Sequence, residues 1–198
     1  MSKGFSVILA ATDDGGIGKN SGLPWKINRS DMKRFKDITR GVIPNPPNDT
    51  TNAVIMGRNT WQFLPPKQKP LSKRINVVIT SDTQRQEEIK AIYPTVLCFV
   101  SFEASLEHLL VDQDIGDIFV IGGKRLYEEA LKSPLCNRLY LTKIKHDCEC
   151  DTFVDTDLLP PNGFVLKSCV ETEECDFYEL EGPRMQGGLI MKIDETEN

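Results

Sequence analysis

The residues best suited to chemistry begin with a carboxylate. Leu23-Pro24-Trp25 precedes a stretch of helical spacing that starts at Arg29, on which Asp31, Phe35 and Ile38 fall at i, i+4 and i+7 with Met32 beside them. That spacing sets one acid inside an apolar stripe, while Lys33, Arg34, Lys36 and Asp37 are expected to look elsewhere. A carboxyl shut away from water keeps its proton to higher pH, which suits acid–base work near neutrality. The same residues also read as a helix start, with Asn28 as the N-cap and Asp31 at the third helical position. Spacing leaves both readings open.

Two glycine turns form the second feature. Gly57-Arg58-Asn59-Thr60-Trp61 follows the apolar run Ala53–Met56, and Gly122-Gly123-Lys124-Arg125-Leu126-Tyr127 follows Ile118–Ile121. Glycine allows close backbone approach, a helix start presents unpaired N–H groups, and each turn adds a basic side chain. Either alone reads as a tight turn; the pair could hold the two ends of a doubly phosphorylated nucleotide. Gly15-Gly16-Ile17-Gly18 lacks the dinucleotide fingerprint, because Ser21 stands at the third glycine position and Leu-Pro-Trp follows instead of a helix. Residues 15–25 are therefore expected to be a flexible loop closing over the end of the first strand.

Arg74, just before Ile75–Thr80, can grip a carboxylate through two parallel hydrogen bonds or remain a solvated strand-edge charge. His146, Cys148 and Cys150 alternate, but zinc needs a fourth ligand and wider pair spacing, so solvated turn residues are the plainer reading. No serine sits in a nucleophile elbow, and neither His108 nor His146 has a visible nucleophile partner.

These residues need a frame. Phe5–Ala11, Ala53–Met56, Ile75–Thr80, Val96–Val100, Ile118–Ile121 and Leu139–Ile144 are apolar or β-branched enough for strands, several of them covered on both faces. Helical patterns fit Arg29–Arg40, a short piece after Gly57, Gln86–Ala91, Glu103–Leu110 and Lys124–Lys132. The last two strands, near Phe164–Glu171 and Leu189–Ile193, have no helix between them and should pair antiparallel. The expected class is α/β: a mostly parallel central sheet of about eight strands with an antiparallel C-terminal edge, flanked by about four helices. Gly41–Asn52 and Glu173–Gly188 read as surface excursions.

The 198 residues suit a single domain over 1–198. With 24 basic against 29 acidic side chains, the net charge of −5 excludes a broad nucleic-acid footprint. No apolar run approaches the ~20 residues of a membrane span, and the stretch Phe5–Ala11 is too short for a secretory core. Six cysteines in a chain with this much core are expected as free thiols in a reducing, cytoplasmic setting.

Seven motifs then stand in register: Gly16-Ile17-Gly18-Lys19-Asn20, Leu23-Pro24-Trp25, Asp31-x-x-x-Phe35, Met56-Gly57-Arg58-x-Thr60-Trp61, Pro70-Leu71-x-x-Arg74-x-Asn76-Val77-Val78, Ile121-Gly122-Gly123-x-x-Leu126-Tyr127 and Asp151-Thr152-Phe153. Their order resembles dihydrofolate reductase, strongly to residue 153 and weakly beyond, with a 41–52 loop closer to eukaryotic or protozoal members. The resemblance implies NADPH-dependent reduction of 7,8-dihydrofolate to tetrahydrofolate by a monomer. Hydride passes from C4 of the nicotinamide to C6 of the pterin while N5 gains a proton. It assigns the pterin-holding carboxylate to Asp31, its supporting hydroxyl to Thr142, a water-anchoring indole to Trp25 and the mobile loop to Leu23.

By the same likeness, Ile8, Met32, Phe35, Leu64, Leu71 and Ile121 line the substrate pocket and Arg74 takes the glutamate α-carboxylate. Ala10, Ile17, Gly18 and Tyr127 frame the nicotinamide. Gly57, Arg58, Asn59, Thr60, Thr80, Ser81, Gly122, Gly123, Lys124, Arg125 and Leu126 hold the rest of the cofactor, and the Gly122–Gly123 bond matches one that is cis in the family. The chain departs from the pattern at Phe63, where most members have serine, and at Ser81, where vertebrate members have arginine, leaving Arg58 to select NADPH. A longer final hairpin over 173–188 is a third departure. Two rival readings are a nucleotide-binding module that kept the fold and lost the chemistry, its pocket blocked by Phe63, and a zinc-binding protein built on Cys148 and Cys150. Asp31, Trp25 and Thr142 together argue against the former.

Overall fold

The computed structural model describes residues 3–26, 28–41 and 50–183. Strand β1 (Phe5–Ala11) is followed by the short β2 (Gly16–Gly18), helix α1 (Arg29–Thr39), β3 (Thr51–Gly57) and the six-residue α2 (Arg58–Phe63). Next come β4 (Ile75–Ile79), α3 (Thr83–Ile92), β5 (Leu97–Phe99), α4 (Phe102–Val111), β6 (Ile115–Val120) and α5 (Lys124–Lys132). The chain continues through β7 (Cys136–Ile144), β8 (Thr152–Phe153), β9 (Val165–Glu171) and β10 (Cys175–Glu181).

Eight strands form one sheet in the order β5-β4-β3-β6-β1-β7-β10-β9. Strands β5 to β7 along that order run parallel, and β10 joins β7 and β9 antiparallel, giving the expected α/β sheet with its C-terminal edge. Among the described residues five α-helices flank it, the short α2 included.

Period-two alternation explains how the sheet sorts its side chains. Val7 and Leu9, Ala53 and Ile55, and Ile118 and Val120 enter one cluster with residues of α4 and α5. Ile8, Val54, Met56, Phe119 and Tyr140 enter the other, with Ile38 of α1, Trp61 of α2 and Ile89 of α3. Each fully buried Val, Leu, Ile, Phe or Met among them contributes about 1.5–3 kcal/mol, so both faces must be covered. The same parity places Thr142, two residues after Tyr140, on the face that α1 covers. That is the local reason it can meet Asp31.

Local chemistry fixes the helix starts. Asn28 caps α1 by accepting from the N–H groups of Ser30 and Asp31; Asp82 caps α3 and Ser101 caps α4 in the same way. By contrast α2 and α5 begin after Gly57 and Gly123 with no side-chain cap.

Three expectations need correction. The excursion placed at Glu173–Gly188 is in part strand β10, which continues the sheet from a turn in which Cys175 N–H and Thr172 Oγ1 are bonded. Among the described residues β10 is the antiparallel partner of β9; the strand placed at Leu189–Ile193 falls in residues 184–198, which lie outside the described residues. Within residues 15–25, expected as one flexible loop, Gly16–Gly18 form a strand paired antiparallel with Thr152–Phe153, and the Gly15 and Gly18 carbonyls accept from the N–H groups of Val154 and Asp151. The excursion at 41–52 ends earlier than expected, since Thr51 and Asn52 already belong to β3, and residues 42–49 lie outside the described residues.

Candidate active site

Asp31 lies half-buried in the first turn of α1 and accepts a 2.7 Å hydrogen bond at Oδ1 from the Thr142 hydroxyl. Asn28 performs the capping, so the carboxylate is spared for this contact. Thr142 is itself buried, and a buried hydroxyl without a partner costs about 1–3 kcal/mol, which ties the two residues together. Burial raises the Asp31 pKa above the usual carboxylate range, against the Thr142 bond and the Arg34 charge, which both pull it down. The acid therefore holds its proton more readily than a surface aspartate does.

Arg34 corrects the sequence reading. It faces inward, with its guanidinium over the rings of Phe177 and Tyr140 and Nη1 donating to Thr142 Oγ1. Three residues along a helix amount to a turn of roughly −60°, so Arg34 shares the Asp31 face; that spacing was the available signal.

Ile8, Leu71 and Ile121 are buried in one cluster, against which Phe35 and Leu64 pack. Met32 is half-buried on α1. Arg74 is half-buried too, donating from Nη1 to Thr39 Oγ1 at 2.7 Å with its guanidinium over the Phe35 ring. Burial, joined by the nearby Arg40 charge, pulls its pKa down to about 10. Two neighbouring cations at the rim of an apolar cluster make a place for an anion. Phe63 does not fill this cluster; it stands half-exposed at the end of α2, against Gly22.

The segment between β2 and α1 is built tightly. Asn20 and Ser21 both take positive φ, and Lys19 and Gly22 exchange backbone bonds at 2.9 Å, forming a two-residue turn. The Asp151 carboxylate accepts from Asn20 N–H at 2.6 Å, and Lys19 pairs with Glu149. Leu23 is exposed beyond this turn, whereas Trp25 is buried with Ile144 and Cys175, and Ala10 packs beside them. Thus Ala10, Trp25 and Thr142 all lie at the C-terminal ends of β1 and β7, where Ala10 and Thr142 are register partners.

The two glycine turns meet. Gly57 N–H donates to the Gly122 carbonyl at 2.7 Å, and a β-carbon on Gly57 would lie 3.7 Å from Gly123 N. One on Gly123 would lie 3.4 Å from Thr60 Oγ1. Gly122 has φ +112°, a conformation open to glycine, and its bond to Gly123 is cis, as the resemblance implied. Tyr127, buried on α5, donates its hydroxyl to the Ile8 carbonyl at 3.1 Å. Burial and the Asp31 charge both push the Tyr127 pKa up. Leu126 is buried and Ile17 packs in the same cluster, while Gly18 closes β2. Arg58 makes a 3.8 Å surface pair with Asp82; Thr60 is half-buried and Thr80 buried, and Asn59, Ser81, Lys124 and Arg125 are exposed.

A cavity of about 520 Å3 is lined by Trp25 together with Lys19, Asn28, His146, Cys148 and Glu174 among others, and not by Asp31. Among the described residues no group of three His, Cys, Asp or Glu is arranged to hold a metal ion, so the zinc reading of Cys148 and Cys150 finds no supporting cluster. No helix among the described residues is long and apolar enough to cross a membrane.

Comparison with known proteins agrees with this arrangement. The family model for dihydrofolate reductase matches residues 4–162. The chain is 34% identical over 183 residues to a dihydrofolate reductase of Schistosoma mansoni, covering 84% of this chain and 94% of that protein. It is 37% identical over 150 residues to one of Heliothis virescens, covering 75% and 77%. A bifunctional dihydrofolate reductase-thymidylate synthase of Glycine max is 37% identical over 169 residues, but the chain spans only 30% of its length. Motif order, sheet topology and a match over most of the sequence point the same way: this chain belongs to the dihydrofolate reductase family.

Proposed function

We propose that the protein reduces 7,8-dihydrofolate to 5,6,7,8-tetrahydrofolate by hydride transfer from NADPH, with Asp31 orienting the pterin and helping to protonate it. The observation that carries this reading is the Asp31–Thr142 pair: a half-buried acid of raised pKa at the strand ends, beside an apolar cluster. A flat, nitrogen-rich ring can offer two N–H donors to that carboxyl while its faces meet Ile8, Phe35 and Ile121. Accepting those N–H groups as a carboxylate, Asp31 stabilises positive charge on the ring and so helps N5 take its proton from water as C6 takes the hydride. Arg74, with Arg40 nearby, donates from Nε to the Ser72 carbonyl and from Nη1 to Thr39 Oγ1, and its Nη2 side suits the glutamate α-carboxylate.

For the cofactor, the residues present fit. The glycine pair leaves a cradle that β-carbons at 57 and 123 would fill, and the first turns of α2 and α5 lack side-chain caps. When bound there, NADPH supplies the hydride. Gly57, Gly122 and Gly123 admit its phosphates to the backbone, Arg58 and Thr60 lie beside them, and Ala10, Ile17, Gly18 and Tyr127 flank the nicotinamide end. Lys124, Arg125, Leu126, Asn59, Thr80 and Ser81 complete the adenosine side, and Trp25 with Leu23 closes the opposite wall. A monomer working in the cytoplasm completes the proposal. Mixing the protein with NADPH and dihydrofolate should bleach the near-ultraviolet absorbance of reduced nicotinamide; no loss with correctly folded protein refutes the assignment and favours a nucleotide-binding module instead.

A further inference from the structure

Arg34 turns inward three residues after Asp31 and plays no part in the chemistry above. Its guanidinium carbon stands 5.0 Å from the ring centre of Phe177 and 5.6 Å from that of Tyr140. Nη2 donates to the Tyr178 carbonyl at 3.0 Å, and Nη1 donates to Thr142 Oγ1 over a longer 3.4 Å. The backbone bond and the two rings fix the fork, so the second N–H is aimed at Thr142 whether or not that bond is strong.

A threonine hydroxyl has one hydrogen. With an N–H directed at its oxygen, the hydrogen of Thr142 is left for Asp31, and it is found there at 2.7 Å. We propose that Arg34 is a positioning residue for the acid: through Thr142 Oγ1 it fixes which way that hydroxyl points, and so sets how readily Asp31 holds a proton. The inference rests on the reading of Asp31 as the acid of the reaction.

The groups facing Asp31 can be named. Arg34 lies on its own helix, Thr142 on β7, Tyr127 on α5 and Cys175 on β10. Arg34 in turn faces Tyr140 on β7 and Glu179 and Cys175 on β10, and Glu179 is held 3.3 Å from Arg138. Burial raises the pKa of Tyr127 and of Cys175, so both stay neutral near neutral pH. Arg34 is then the charged side chain of this set that bears on the acid. Removing it deletes a nearby cation and frees the hydroxyl to turn away; both changes disfavour the carboxylate and raise its pKa.

The test is a carboxyl-carbon NMR titration of Asp31 in the ligand-free full chain, beside a pH profile of kcat/KM. Arg34→Met should move the Asp31 midpoint up by about one unit, and the alkaline limb of the profile should follow. Arg34→Lys, which keeps the charge without the planar fork, should move it less. In a Thr142→Val background Arg34→Met should add less than it does alone, because the two act in series. Should Arg34→Met fail to fold, Arg34→Lys carries the test. A midpoint unchanged in the folded Arg34 variants, with thermal unfolding lowered, makes Arg34 merely structural and overturns the proposal. Because the titration needs no turnover, it is separable from failure of the acid assignment, which would show as normal turnover in Asp31→Asn.

Discussion

The phenyl ring of Phe63 rests against Gly22, closely enough that a β-carbon at position 22 would stand 2.8 Å from the ring. The contact joins the end of α2 to the turn at Lys19–Gly22, two segments far apart in sequence that border the proposed active site. A β-carbon at 22 would push the tip of this half-exposed ring aside, so the close approach favours glycine there, while the φ of Gly22 is not positive. Gly22→Ala should lower kcat/KM for dihydrofolate about fivefold, the equivalent of ~1 kcal/mol of overpacking. Adding Phe63→Ser should restore it. An equal loss in the double variant would place the effect in the turn itself.

Asp31→Asn should cut turnover near neutral pH by about 10²–10⁴ while NADPH still binds. The raised pKa also fixes the sign of a stability effect. Between the ordinary value of 3.8 and the higher folded value, the native state binds a proton that the unfolded state has lost. Stability contributed by this group is therefore present at acid pH and lost as pH rises through the folded pKa. Denaturant midpoints for Asp31→Asn should exceed wild type at neutral pH, with the gap closing in acid; a gap that widens in acid contradicts the assignment.

For Arg74, replacement by leucine should weaken dihydrofolate binding at least tenfold and spare a pterin that lacks the glutamate tail. Because burial disfavours the Arg74 charge in the fold, removing it should offset the lost bond to Thr39 and leave the unfolding temperature nearly unchanged. Equal losses for both pterins, measured by fluorescence titration, would make the residue a brace for Thr39.

Among the described residues Arg58 is held by a weak 3.8 Å surface pair with Asp82, which leaves it able to turn to a ligand. Arg58→Ala should raise KM for NADPH roughly tenfold and change KM for NADH little, as expected for a charge-assisted bond to a 2′-phosphate. Parallel increases for both cofactors would remove Arg58 from that role.

Much of the architecture was legible because it follows from local rules. The strands that form the parallel part are nearly continuous apolar runs, and Asn28, Asp82 and Ser101 stand where caps belong. Strand β10 escaped because Cys175–Glu181 alternates weakly and is bracketed by Glu173-Glu174 and Gly182-Pro183, a turn-like setting on composition. Only pairing with β7 and β9 supplies its hydrogen bonds, and pairing is a long-range event. Arg34 was misplaced because a charged residue on a helix is solvated by default, and nothing in its neighbourhood along the chain announces Phe177, Tyr178 and Thr142.

By itself, then, the order of amino acids determined the α/β class and the glycine turns, since spacing and residue type act within a few positions; for Asp31 spacing left a pocket acid and a helix start side by side, and only the resemblance chose the acid. Folding decided which partners those residues meet. Thr142 reaches Asp31 because β7 lies beside β1 in the sheet and presents its even-numbered side chains to α1. Phe63 meets Gly22, and Gly57 meets Gly122, for the same reason: contacts between remote segments are set by strand order and packing, which no local pattern encodes.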